Sequence, residues 1–355
     1  MCIMLFNNSI LNIKLIMEIN IMKKQIIAAA VAASVSAVAM ADISITGDAK
    51  YEYFYTDTSA NTSTNTANTE MHINIAGKKG DTSVVINTEI DASGTDGAGL
   101  DIEDNYLTTK IGDISVKAGN YASSTSGILG EIDEGGRVRN KVTLSTTVGG
   151  MTLYAGNGTN TEADADIADQ DDKTNIADDM FAGAQLNLGG VAVEVKKVDA
   201  KTSAIGAKGS IGGVTYRVEQ KNSDTANSDV MFAEVGTTIG GMGVSYAMID
   251  ADAKNLVGET DSAIFAKEMG NSSVKAEATG TQQLTIKTSV EGNSVTAKMG
   301  VIDDAYGVNK DQEWTQLIVS RPLASGATAT VTWTDADTSA TADATTLELD
   351  LSVSF

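Results

Sequence analysis

Charged side chains recur at every second position in several otherwise apolar segments of this chain. Lys50 lies in such a segment, and Arg217 and Glu219 lie in another, where they alternate with valine and tyrosine. A row of charges on one face can attract ions and orient solutes without making or breaking bonds. We predict that eight such residues line a water-filled space: Lys50, Glu89, Lys110, Lys117, Arg217, Glu219, Lys287 and Lys298.

Residues for covalent or metal chemistry are scarce. His72 is the only histidine and Cys2 the only cysteine, so there is no Ser-His-Asp set and no His/Cys zinc spacing. His72 is predicted to be a polar side chain that faces the same space, beside Asn74. The pair Asp164 and Asp166 has the spacing of a calcium loop, but the glycine and terminal glutamate of that motif are missing. The sequence therefore predicts a solvated acidic loop there, no metal site, no cofactor and no enzyme.

The last segment, 345–355, shows how a strand positions such side chains. Its apolar residues alternate with polar ones, and the apolar set is Leu347, Leu349, Leu351, Val353 and Phe355. A period of two is that of a strand with one apolar and one polar face. A final strand that stops on an aromatic residue is typical of an outer-membrane β-barrel.

Short turns divide the chain into strands. Glycine supplies the positive φ that two-residue hairpins need. The turn signals are Gly77–Gly80, Gly112-Asp113, Gly149-Gly150, Gly189-Gly190, Gly212-Gly213, Gly240-Gly241, Gly270-Asn271, Gly292-Asn293 and Pro322–Gly326. These nine hairpins, with a first and a last strand, predict an all-β, antiparallel transmembrane barrel of 20 strands, within a range of 16–20. Longer, more polar segments separate the hairpins, which predicts short periplasmic turns and longer extracellular loops.

The N-terminal region predicts export. Segment 22–41 has a basic start, an apolar core and the small-x-small end Ala39-Met40-Ala41, which is the pattern of a cleaved signal peptide. Residues 1–21 are interpreted as a start codon assigned too early or as an extended leader. Segment 42–355 is then a single barrel domain. It contains no cysteine and no apolar stretch long enough for a transmembrane helix.

The charge balance limits the partners. The formal net charge is −22, which disfavours binding to nucleic acid. Inward-facing acidic and basic residues nearly cancel in the predicted strands, so the excess negative charge lies mainly in loops. We expect a mild cation preference that is set at the channel mouth.

In layout, the chain resembles a general porin of Gram-negative proteobacteria. The resemblance rests on a leader followed at once by Ile43–Gly47, on the segment Ile114–Asn120 with a long insertion after it, and on the terminal Phe355. It implies an outer-membrane location, 16 strands, a homotrimer and contact with outer-membrane lipid. It also implies that Phe355 is the C-terminal assembly signal for the barrel-assembly machinery.

The resemblance further implies that loop 122–140 folds inward and narrows the pore. Acidic and basic side chains on and beside it would create a transverse field across the constriction. These residues are Glu131, Asp133, Glu134, Arg137, Arg139 and Lys141. The alternative is an exposed loop with solvated charges.

The function predicted from these features is passive diffusion of small hydrophilic solutes and ions through an outer-membrane porin. One alternative is a secreted, acidic surface or adhesive protein, such as a β-helix or S-layer-like chain, which the acidic, cysteine-free composition would suit. A secreted enzyme on a β-sandwich is a second alternative, but the chain has no nucleophile or base cluster for it.

Overall fold

The computed structural model describes residues 42–58, 62–91, 99–122, 128–129, 137–159, 180–198, 200–224, 229–251, 280–303, 311–339 and 342–355. All regular elements in these ranges are strands, and none of the described residues forms a helix that could cross a membrane. The first nine strands are β1 (Asp42–Thr58), β2 (Thr62–Lys79), β3 (Thr82–Asp91), β4 (Gly99–Ile111), β5 (Ile114–Ala122), β6 (Arg137–Val148), β7 (Met151–Thr159), β8 (Met180–Leu188) and β9 (Val191–Lys197).

Nine further strands complete the sheet. They are β10 (Thr202–Ile211), β11 (Val214–Ser223), β12 (Val230–Ile239), β13 (Met242–Ala251), β14 (Gly280–Val290), β15 (Asn293–Asp303), β16 (Gln312–Pro322), β17 (Thr328–Ser339) and β18 (Ala342–Ser354). Each strand pairs with the next one in the chain, and β18 also pairs with β1. The sheet is therefore closed, and no strand is left with an unpaired edge.

The closing seam joins the two ends of the described chain. Glu52 lies opposite Asp350 and Tyr53 opposite Leu349 along β1 and β18. At the end of the seam, the amide of Phe355 donates to the carbonyl of Gly47 at 2.9 Å, and the amide of Gly47 donates back at 3.0 Å. The last residue of the chain is thus a paired member of the barrel.

The barrel has 18 strands, which lies within the expected range of 16–20 but differs from the direct count of 20 and from the usual 16 of the resembled family. The predicted turn at Gly270-Asn271 lies outside the described residues. Ile249 of β13 pairs directly with Thr281 of β14. Since these two strands are neighbours in the sheet, no pair of strands lies between them there, and the count falls by two.

The other eight predicted turns all connect neighbouring strands. Seven of them are two-residue hairpins, such as Gly212-Gly213 between β10 and β11, where both glycines have positive φ. The turn predicted over Gly77–Gly80 is formed by Gly80 and Asp81, since β2 continues to Lys79. The turn between β14 and β15 is centred on Glu291 and Gly292, one residue earlier than predicted, and Glu291 adopts a φ of 51°. These eight turns lie at one end of the barrel, the turn end. The other end, the loop end, carries the nine remaining connections, whose lengths range from two residues between β17 and β18 to 28 between β13 and β14.

Burial distinguishes the two faces of the sheet. One face carries exposed apolar side chains, such as Ile211 at 68 % and Phe355 at 59 %. The other carries charged side chains that are almost fully covered, such as Glu219 at 0 % and Glu194 at 1 %. Side chains converge inside a closed cylinder and diverge outside it, so the charged face is the inner one.

The outer face forms an apolar band with charged borders. In the middle of β18, Leu347, Leu349 and Leu351 point outward, whereas Glu348 and Asp350 point inward. Outward charges appear near the strand ends, with Arg321 towards the turn end and Asp335 towards the loop end. This distribution matches the hydrocarbon layer of a membrane, which tolerates charged side chains only near its borders.

Candidate channel wall

The strand register places all eight predicted lining residues on the inner face. Glu89 lies opposite His72, Arg217 opposite Lys208 and Lys298 opposite both Thr285 and Gln316. The complete set on this face is Lys50, Glu89, Lys110, Lys117, Arg217, Glu219, Lys287 and Lys298. The inner surface is therefore charged around much of its circumference.

Cations and aromatic rings alternate on one part of this surface. Lys117 lies over the ring of Tyr106 at 3.9 Å and over that of Tyr121 at 4.1 Å. Lys141 lies 5.0 Å from the rings of both Tyr121 and Phe181. Two further pairs are Lys196 with Phe181 and Arg217 with Phe232. We call this region the cationic wall; its cations are Lys117, Lys141, Lys196 and Arg217, and its rings are Tyr106, Tyr121, Phe181 and Phe232.

The aromatic rings give the cations of this wall fixed positions. A ring face attracts an ammonium or guanidinium group electrostatically, and the attraction strengthens as water is removed. Lys141 is only 2 % exposed and Arg217 pairs with the buried Glu219. Tyr121 is itself held by a 2.6 Å hydrogen bond with Thr143. The positive charges therefore belong to a packed layer, and they are not free to sample the lumen.

A second region of the inner face is mainly acidic. We call it the acidic wall, and its carboxylates lie on the adjacent strands β18, β1, β2 and β3: Asp48, Glu52, Glu70, Glu89, Glu348 and Asp350. Lys50 forms an ion pair with Glu52, and His72 lies between Asp48 and Glu70. The cationic wall spans β4 to β12, so the two walls occupy different sectors of the barrel.

Strands β12 to β17 carry a mostly uncharged sector. Phe232, Ile249, Ile302 and Trp314 form a buried apolar cluster on the inner face. Leu129, which comes from the segment between β5 and β6, packs into the same cluster. An apolar layer on the inner face of a barrel needs a covering group, and Leu129 supplies part of it.

Leu129 belongs to loop 122–140, which is predicted to fold inward. Ile128 and Leu129 are the only residues of segment 123–136 that the structure describes, and both are buried. They lie against Gly206 on the inner face of β10, where an added Cβ would be 2.8 Å from Cδ2 of Leu129. The absence of a side chain at Gly206 thus permits this close approach. Both residues lie inside the barrel.

The structure describes the side chain of only one of the six predicted constriction residues. Glu131, Asp133 and Glu134 lie outside the described residues. Arg137 and Arg139 belong to β6, where they pair with Ala122 and Thr159, but their side chains are not described. Lys141 is described and belongs to the cationic wall. Their common role in a constriction stays a prediction.

The sequence pattern did not reveal the aromatic rings that contact the cations of the cationic wall. Tyr106 and Lys117 belong to neighbouring strands, and Phe181 is two strands away from Lys141. Alternation alone would have placed these rings on the inner face, but their contacts depend on the register between strands. Tyr51 and Tyr55, by contrast, lie on the outer face and are both exposed.

Comparison with solved structures gives the same architecture. OpdL of Pseudomonas aeruginosa matches with a TM-score of 0.60 at 13 % identity, over 88 % of this chain and 99 % of that one. OccK9 (OpdG) of the same organism matches with a TM-score of 0.61 at 13 % identity, over 88 % and 98 %. The chain has the fold of Pseudomonas outer-membrane porins.

A third similar structure was solved with a small acid bound. OccK2 (OpdF) in complex with glucuronate matches with a TM-score of 0.60 at 11 % identity, over 88 % of this chain and 98 % of that one. No protein-family model matches the chain, and no curated protein matches its sequence. At 11–13 % identity, these likenesses establish the fold of the barrel.

Proposed function

We propose that this protein is an outer-membrane porin that passes small hydrophilic solutes and ions by passive diffusion. The proposal rests on one observation: the closed sheet has an apolar outer face and a charged inner face. Such a sheet is stable in lipid because every backbone group pairs within it. Its inner surface presents charges to water, which suits dissolved ions and polar solutes.

Loop 122–140 acts as the constriction. The burial of Ile128 and Leu129 inside the barrel supports this role, because it places two residues of the loop in the lumen. The loop begins beside the cationic wall at Tyr121 and reaches Gly206 on β10. Solutes then pass between this loop and the remaining inner surface, where the cationic and acidic walls create a transverse field.

The channel prefers cations mildly. Positive and negative side chains on the inner face are similar in number, while the chain as a whole carries a net charge of −22. The cationic wall is packed against aromatic rings, whereas Asp48 and Glu70 of the acidic wall stay partly exposed to the lumen. Exposed carboxylates near the mouth concentrate cations, and salt weakens this effect.

The proposal includes an orientation in the membrane and an oligomeric state. The short turns face the periplasm, the loops face outward, and three copies associate in the membrane. Phe355 is recognised by the assembly machinery at the seam that it closes with Gly47. A secreted adhesive protein is disfavoured because the apolar outer band would then face water.

Two measurements on detergent-extracted envelopes test the proposal. We expect the protein in the outer-membrane fraction as an oligomer whose gel migration changes on boiling. We also expect a modest cation-selective reversal potential in a KCl gradient. A soluble monomer in the culture medium would refute the porin, and a clear anion preference would refute the selectivity alone.

A further inference from the structure

The acidic wall contains a mixed set of nitrogen and oxygen ligands around the only histidine. Nδ1 of His72 is 3.2 Å from Oδ2 of Asp48, and Nε2 is 2.8 Å from Oε1 of Glu70. Glu89 lies opposite His72 on β3. Ligand atoms of Glu70, His72 and Glu89 all lie within 4.8 Å of one another. We propose that these three residues, with Asp48 beside them, bind Zn²⁺ or a similar divalent transition-metal ion in the channel wall.

The charge of the cluster favours a divalent cation. Nδ1 and Nε2 of His72 each lie within hydrogen-bond distance of a carboxylate, those of Asp48 and Glu70. Glu89 supplies a third carboxylate near the ring. A divalent ion at Nε2 would therefore bring positive charge to a group of three carboxylates.

The geometry requires only a small adjustment. Zinc lies about 2.0–2.2 Å from nitrogen and oxygen ligands in tetrahedral sites, so two ligand atoms are separated by roughly 3.4 Å. The atoms of His72 and Glu70 are 2.8 Å apart and must separate slightly. Both side chains are partly exposed, so they can rotate and the ion can reach them from the lumen.

The ligand types select the class of ion. Imidazole with carboxylates suits Zn²⁺, Co²⁺ or Ni²⁺, whereas Mg²⁺ and Ca²⁺ prefer oxygen ligands alone. A merely acidic surface would bind these ions by charge and would show no such order. The choice between Zn²⁺ and Mg²⁺ therefore separates a built site from general attraction.

No sequence motif indicated this site, because Glu89 lies on a different strand from Glu70 and His72, and Asp48 lies on a third strand. Glu70 and His72 are two residues apart on β2, which places both on one face. Asp48 and Glu89 join them only through the pairing of β2 with β1 and β3. The sequence prediction of no metal site rested on motifs that are contiguous or helical.

Direct binding tests the site independently of any transport. The detergent-solubilised full chain is titrated with Co²⁺, whose visible absorption reports tetrahedral coordination, and Zn²⁺ is then added as competitor. We expect binding by the native chain, and at least about a tenfold loss of affinity in His72→Gln, as for other disturbed ligand sets. Asn74→Gln, the next inward residue on β2, is the matched control and binds as the native chain does.

Either of two results would refute the site. Equal Zn²⁺ affinity in His72→Gln and the native chain, or displacement of Co²⁺ by Mg²⁺ as readily as by Zn²⁺, would leave only an acidic surface. Each variant is first checked for the heat-sensitive gel migration of a folded barrel. If His72→Gln does not fold, Glu89→Gln, which keeps the imidazole, is read by the same titration.

The consequence for ion flow rests on the proposed porin function. Zn²⁺ at this site would reduce the negative charge of the acidic wall and lower the cation preference in a planar bilayer. Glu89→Gln should abolish this response, whereas Glu234→Gln, which removes an inward carboxylate from β12, should keep it. A response to Zn²⁺ that survives in Glu89→Gln would refute this effect. Binding without any channel current would leave the site standing and refute the porin instead.

Discussion

The cationic and acidic walls share one inner surface but are built differently. In the cationic wall, each charge lies over an aromatic ring, and Lys141 and Lys196 are both buried. In the acidic wall, Lys50 and His72 are placed among carboxylates, and Asp48 keeps 45 % of its side chain exposed. A lysine can be buried on a ring because the ring face is apolar yet attractive to cations. The buried carboxylates Glu52, Glu194 and Glu219 instead depend on a cation or a hydrogen-bond donor, namely Lys50, Tyr154 and Arg217 respectively. The cationic wall is thus structural as well as electrostatic.

The largest effect should follow a change in packing at the cationic wall. Gly206→Leu would introduce a side chain where Leu129 and Ile128 already fill the space. Overpacking of this kind costs about 1–3 kcal/mol. We expect a lower midpoint for urea unfolding in lipid vesicles and a smaller open-channel conductance, since the loop must move towards the axis.

The control for that substitution lies on the inner face of β2, beside the acidic wall. Asn74→Leu also enlarges an inward side chain, but Asn74 is only half-buried beside Asn87. It should change the unfolding midpoint much less. Equal losses in the two variants would remove the distinction between a packed and an open wall.

A slightly smaller effect is expected from removing one ring. Tyr121→Leu deletes the aromatic face shared by Lys117 and Lys141 and the hydrogen bond to Thr143. The loss should be about 1–2 kcal/mol in unfolding free energy, since each cation–π contact contributes about 0.5–1 kcal/mol. Tyr51→Leu on the exposed outer face is the control, and comparable destabilisation by it would contradict a special role for the inner rings.

Charge removal should shift selectivity in opposite directions on the two walls. A unit charge about 8 Å from an ion in water is worth about 0.5 kcal/mol, and salt screens part of it. Replacing Lys117, Lys141 and Lys196 by glutamine should therefore raise the ratio of K⁺ to Cl⁻ permeability by about fivefold. Reversal potentials in a KCl gradient measure the ratio, and an unchanged or lowered value would show that these charges do not face the permeation path.

The smallest effect is expected from one carboxylate of the acidic wall. Glu348→Gln leaves Asp350 and Glu52 beside it, so the ratio of K⁺ to Cl⁻ permeability should fall by less than about twofold. Lys298→Gln, a single inward cation outside both walls, should raise the ratio by a similar amount. A drop in Glu348→Gln as large as the rise in the triple lysine variant would show that one residue dominates the wall.

Much of the fold follows from local patterns in the sequence. Alternation in 347–355 indicates which side chains face inward, because a strand has a period of two. Glycine pairs such as Gly212-Gly213 mark turns because they supply positive φ. Gly270-Asn271 has the same chemistry, yet the pairing of β13 with β14 leaves no place for two more strands. Turn propensity is local, whereas strand number is set by how the whole sheet closes.

The candidate site was less predictable, because its contacts join distant residues. The inward direction of Lys117 is visible in its own strand, but its rings come from β4 and from the end of β5. The contact of Leu129 with Gly206 joins residues about 77 positions apart and depends on the course of the intervening strands. A one-residue change in register would exchange inner and outer side chains, so such contacts require the pairing itself.

The most direct measurement concerns two neighbouring residues in the last strand. Spin labels at Leu349 and Glu348 are compared in lipid vesicles for collision with oxygen, which dissolves in hydrocarbon, and with a water-soluble nickel complex. We expect oxygen to relax the label at position 349 and the nickel complex to relax the label at position 348. If the two labels respond alike, the outer and inner faces of the sheet lie in the same environment. The channel would then be refuted.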